Sequence, residues 1–197
     1  MIHDEKGTYD PIPYIEAMKQ LLPGVRCMCY VECCLTKEEN TLYDMLNQGA
    51  VPLIEKANVF FGGAPPECSA SRDISQEVPL LSVAPVLKRL CKQYDYSYIK
   101  HDNGCFYIQK RTTKGHYILL DIDVGPMFKR VDTFIRYVGA GFDHRIGSKS
   151  CCPKDQQDLE DYLLKTFQAL ALAEKDIFPA LDSHYPPTPD WFVPLQQ

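Results

Sequence analysis

Four cysteines crowd one short stretch, Cys27-x-Cys29-x3-Cys33-Cys34, and closely spaced thiolates are a common way to offer a chain to zinc. The alternation there points elsewhere. Val25, Cys27, Cys29, Val31, Cys33 and Leu35 fall on one side of an extended strand, against Arg26, Met28, Tyr30, Glu32 and Cys34. No Cys-x-x-Cys knuckle is present, so buried structural thiols are expected and no metal ligand is assigned. Cys151-Cys152 precedes a helix in a polar loop and lacks a matching pair at metal-ligand spacing. All nine cysteines are expected to be reduced, since their odd number and mostly apolar settings suit free thiols better than a disulfide framework.

A cysteine nucleophile needs a histidine within hydrogen-bond reach. Cys105 and His116 fall at opposite ends of a hairpin, on the order of 18 Å apart at about 3.3 Å per residue. Asp143 and His144 are consecutive in a strand and point to opposite faces, which leaves His144 a structural histidine. Asp121 and Asp123 share a face, but without a third ligand they read as exposed strand-end carboxylates. There is no phosphate-binding Gly-x-x-x-x-Gly-Lys loop, no Gly-x-Gly-x-x-Gly, no Gly-x-Ser-x-Gly elbow and no His-Glu-x-x-His. No catalytic residue and no cofactor are assigned.

The residues left with a chemistry to offer are Tyr98, Lys100, Tyr107, Arg111 and Tyr117. On one face of a sheet they would combine rigid aromatics with a guanidinium, the mixture enriched where proteins bind proteins. Aromatics on a sheet also stack single-stranded bases. A solvated face partly covered by the tail of the chain is the plain alternative.

The elements that must position them begin with Tyr96 to Gly147. Asn103-Gly104 between alternating strands predicts a two-residue turn, and Thr112 to His116 a three-residue loop with Gly115 left-handed. This register sets Asp102 opposite Cys105, His101 opposite Phe106, Ile99 opposite Ile108, Ile108 opposite Leu120 and Phe106 opposite Ile122. One face then collects Ile99, Phe106, Ile108, Ile118, Leu120 and Ile122, and the other Tyr98, Lys100, Tyr107, Gln109, Arg111, Tyr117 and Asp121. Val131 to Val138 continues the meander in a central position, Gly139-Ala140-Gly141 turns it, and Phe142 to Ile146 forms a short last strand.

Around the sheet, Tyr9 to Leu22 reads as a short helix. Thr36 and Glu39 form a capping box for a helix to Gly49, with a second short helix starting at Pro52. Phe61 to Glu77 reads as a loop. Ser82 caps a helix through Tyr94 with Val83, Val86, Leu87 and Leu90 in one stripe, and Asp155 caps a long helix carrying Leu159, Tyr162, Leu163, Phe167 and Leu170. From Pro179 a proline-rich tail follows, with Trp191 and Phe192 clamping it to the domain. The fold class expected is α+β, an antiparallel meander covered on one face by helices in a single two-layer domain over residues 1–197. A subdivision into 1–66, 78–178 and 179–197 is allowed.

The 197 residues suffice for one substantial core, with 45% hydrophobic and 11% aromatic residues. A net charge of −5 disfavours sequence-independent nucleic-acid binding and suits a basic partner. No run of about 18 apolar residues and no secretory leader is seen, so a soluble cytoplasmic protein without membrane contact is expected.

Cys105-Phe106-Tyr107-Ile108-Gln109-Lys110, Gly115-His116-Tyr117-Ile118-Leu119-Leu120 and Gly139-Ala140-Gly141-Phe142-Asp143-His144 form an arrangement that resembles small bacterial immunity-type proteins of polymorphic-toxin systems, over the last two-thirds of the chain. The resemblance implies a non-enzymatic protein that binds and neutralises a cognate toxin, and carries over no functional residue. Alternative readings are a small hydrolase or transferase with a cleft site, and a nucleic-acid-binding module using the tyrosine face.

Overall fold

Gly104 and Gly115 adopt φ of +86° and +84°, the left-handed values that tight hairpins demand and that side chains resist. The strands they join are β1 (Ser97–Asp102), β2 (Cys105–Arg111) and β3 (Tyr117–Val124), followed by β4 (Val131–Gly139) and β5 (Phe142–Cys151). All neighbours are antiparallel, in the order β1-β2-β3-β4-β5. Among the described residues three helices complete an α+β fold: α1 (Lys37–Phe61), α2 (Val83–Tyr94) and α3 (Gln156–His184). The computed structural model describes residues 36–62, 82–102, 104–124, 130–190 and 192–194. The helix expected at Tyr9 to Leu22, the Val25 to Leu35 strand with its four cysteines, and most of the Phe61 to Glu77 loop lie outside the described residues.

The β2–β3 register agrees with the expectation: Phe106 pairs with Ile122, Ile108 with Leu120 and Lys110 with Ile118. β1 departs from it. A bulge between Tyr98 and Lys100 sets Tyr98, not Ile99, opposite Ile108. One extra residue transfers every side chain beyond it to the other face. β4 is central as expected, whereas β5 is longer than expected and runs to Cys151.

The inner face holds Phe106, Ile108, Ile118, Leu120, Ile122, Ile135 and Tyr137, all buried. Side chains of all three helices meet it. Lys88 of α2 lies over Tyr98, 5.4 Å from the ring centre, Phe178 of α3 stacks on Tyr137 at 6.4 Å, and Tyr43 of α1 meets Phe142 at 6.4 Å. α1 lies close along β5. A Cβ at Gly141 would come within 2.0 Å of the Tyr43 ring, and one at Gly147 within 2.4 Å of Phe61 Cβ. Absent side chains on the strand are what admit the helix.

Helix ends follow sequence chemistry with corrections. The capping box forms, Thr36 N–H donating to Glu39 at 2.7 Å and Glu39 N–H to Thr36 Oγ1 at 3.2 Å. Asp155 accepts from Asp158 N–H at 2.9 Å. Ser82 makes no side-chain cap; Gln156 of α3 instead takes its N–H at 2.8 Å. α1 does not stop at Gly49 but continues through Pro52, and α3 continues through Pro179 to His184. A proline inside a helix costs ~3 kcal/mol by losing its N–H and crowding the carbonyl four residues back. Pro52, Pro179 and the residues four back, Gln48 and Lys175, are all exposed, where water can reach the freed carbonyl. Continuing α3 also buries Leu181, and continuing α1 buries Ala57 and Phe61, at ~2 kcal/mol for each large side chain.

Candidate functional site: the outer face of the sheet

Register builds the outer face from cross-strand rungs. Tyr107, Asp121, Phe134 and Ser148 form one; Gln109, Leu119, Arg136 and Arg145 the next; Arg111, Tyr117, Val138 and Asp143 the third. Of the five residues singled out in the sequence, Tyr107, Arg111 and Tyr117 share this face. Lys100 pairs with Tyr107 in register. Tyr98 does not belong: past the bulge it packs on the inner face, its ring 6.5 Å from Phe106.

Arg136 organises the centre. Its guanidinium donates to Asp121 Oδ2 at 3.1 Å and grips Asp143 with two nitrogens, Nε at 3.0 Å and Nη2, a forked geometry that only arginine supplies. The two carboxylates raise the pKa of Arg136. Burial pushes the Asp121 carboxyl up, and Arg136 draws it back down. Beside this network the Arg145 guanidinium lies over the Phe134 ring, 4.1 Å from its centre, a cation–π contact.

The face is less open than the sequence suggested. Tyr117, Leu119 and Val138 are 6%, 1% and 2% exposed, so it carries an apolar centre flanked by half-buried Tyr107, Phe134 and Arg136. The tail covers part of it: Phe192 is buried with its ring 6.2 Å from Tyr117, while Trp191, the other expected clamp, lies outside the described residues. Asp190 accepts from Arg111 Nη2 at 2.5 Å. Two oxygens on this face, Gln109 Oε1 and Asp121 Oδ1, are buried without a hydrogen-bond partner.

A second polar cluster, not anticipated from sequence, sits where α3 meets the ends of β3 and β4. His116 is fully buried, its Nδ1 2.6 Å from Thr188 Oγ1 and its Nε2 4.0 Å from Asp182. Asp182 also accepts from Tyr137 at 2.5 Å and Thr112 at 2.9 Å. Thr188 Oγ1 also receives the Ala140 N–H at 3.4 Å, whereas His116 Nε2, turned toward Asp182, is buried without a hydrogen-bond partner. Burial holds His116 down at about 4, against the opposing pull of Asp182, and it is neutral at pH 7. A hydroxyl, an imidazole and a carboxylate in sequence are the parts of a nucleophilic relay. Here Thr188 and Asp182 are only 5% and 9% exposed and His116 not at all, so the cluster joins tail, hairpin and helix from within. His144 and Tyr185 make a similar join, 2.6 Å apart, with Tyr185 donating to Asn47 of α1 at 3.0 Å.

Other candidates separate as expected or need correcting. Cys105 and His116 stay at opposite ends of the β2–β3 hairpin. Asp143 turns outward to Arg136 while His144 turns to Tyr185. Cys152 is disulfide-bonded, which corrects the expectation that all nine cysteines are reduced; Cys91 and Cys151 are free thiols. Among the described residues no group of three or more His, Cys, Asp or Glu side chains is placed to hold a metal ion, and no helix is long and apolar enough to cross a membrane. No known protein family, curated protein or solved structure matches this chain.

Proposed function

We propose that the chain is a non-enzymatic protein-binding domain that meets its partner with the outer face of the sheet, around Tyr107, Phe134, Arg136 and Arg145. The carrying observation is the preassembled arginine–aromatic surface: Arg136 is locked in a fork and Arg145 is laid on Phe134. Ordered aromatics and guanidiniums lose little rotamer freedom on association, which is why they dominate binding energy at interfaces. The hydrolase or transferase reading finds its histidine, carboxylate and hydroxyl sealed inside. The nucleic-acid reading finds Arg111 and Arg136 already neutralised by Asp190, Asp121 and Asp143, which leaves little charge for phosphates.

The narrower reading is an immunity protein that neutralises a cognate toxin, supported by the resemblance in residues 105–110, 115–120 and 139–144. A net charge of −5 would speed encounter with a basic toxin domain and make association salt-sensitive. Co-expression with the product of the adjacent gene tests it. Tyr107→Ala and Arg145→Ala should each weaken capture, by about 2 kcal/mol where the residue is a hot spot. A protein captured equally by wild type and both variants binds elsewhere, and no capture at all removes the toxin reading.

A further inference from the structure

The last described stretch of chain passes from one side of the sheet to the other. Tyr185, directly after α3, stacks on inner-face Phe142 with centroids 3.9 Å apart. Phe192 is buried against Tyr117 on the outer face. Between them Thr188 is pinned. Its N–H donates to the Lys114 carbonyl at 2.9 Å and its hydroxyl reaches buried His116. Asp190, whose side chain is 95% exposed, makes a surface ion pair with Arg111, and such a pair contributes little in water.

Two side chains of the proposed face are therefore engaged by the chain itself, Arg111 by a carboxylate and Tyr117 by an aromatic ring. Those are the contacts a protein partner would make with the same pair. We infer that Asp190 and Phe192 are an intramolecular occupant of the outer-face site, anchored at Thr188, and that a partner segment carrying a carboxylate beside an aromatic displaces them. The inference rests on the outer-face reading above, and adds to it a site held closed by its own tail. A site open for only a fraction of the time binds more weakly by that fraction, so loosening the strap strengthens binding.

A synthetic peptide with the sequence of residues 186–194 serves as the probe, added to the full chain and followed by fluorescence anisotropy. Wild type, with the site filled, should bind it at least tenfold more weakly than Phe192→Ala. Asp190→Asn, which touches nothing buried, should bind it at an intermediate level. Amide exchange across Leu119 to Ile122 is the fold control and should stay protected in both variants. Equal binding by wild type and both variants, or none by any at millimolar peptide, overturns the inference. So does loss of sheet protection in Phe192→Ala without a gain in Asp190→Asn, which would make the ring a core support. The peptide result does not use the adjacent gene product, so failure of the strap is distinguishable from failure of the outer-face reading.

Discussion

His116 shows what a titratable side chain does when it is sealed rather than displayed. Its pKa lies near 4 when folded and near 6.5 in a free chain, so the unfolded chain binds the proton more readily. The stabilisation is therefore complete above about pH 6.5 and is lost as pH falls toward 4. Full burial allows on the order of 3 kcal/mol for the shift. His144 is displaced in the same direction by burial and adds to the slope. Urea unfolding between pH 7 and 4 should show this decline, and His116→Gln should flatten it; an unchanged slope would remove the histidine from the account. Tyr137→Phe deletes a donor to Asp182 and should cost about 1.5–3 kcal/mol, as hydrogen bonds to charged groups do, again read from urea midpoints. Little of this was legible. The His116 to Thr188 bond spans 72 residues, and no local pattern announces so distant a partner.

At the scale of elements, the meander was legible because two constraints agreed: glycine at the turns fixed the register, and the register sorted apolar from polar side chains. Tyr98 was placed on the wrong face because a bulge at Ile99 inserts one residue without any turn-forming signature. The helices were cut short at Gly49 and before Pro179 because glycine and proline are strong local stops, whereas the burial that overrides them depends on side chains packed from elsewhere. Glycine in β5 carries the converse lesson. Gly147→Ala drives a methyl into Phe61 at the end of α1, and overpacking of this kind costs about 1–3 kcal/mol. Thermal unfolding should register the loss; a stability equal to wild type would mean that α1 can back away from the strand freely.

For the molecule as a whole, sequence periodicity located the core but not every surface. Leu42 and Met45 lie on the predicted helix yet are 48% and 68% exposed. The packed side of α1 runs instead through Tyr43, Ala50, Ala57 and Phe61. Leu42→Glu together with Met45→Glu should leave the unfolding midpoint within about 0.5 kcal/mol of wild type, as surface changes do; a larger loss would place that side against something structural. The strand order has a temporal consequence. Among the described residues each strand pairs with the strands before and after it in the chain, so every hairpin closes a short loop at low entropic cost, and the sheet can zip from its turns in rapid steps. The Phe178 ring that covers Tyr137 arrives after the sheet, with α3. During synthesis the inner face is therefore covered in part, by α1 and α2, until α3 leaves the ribosome, an interval in which apolar strands are open to aggregation and to chaperones.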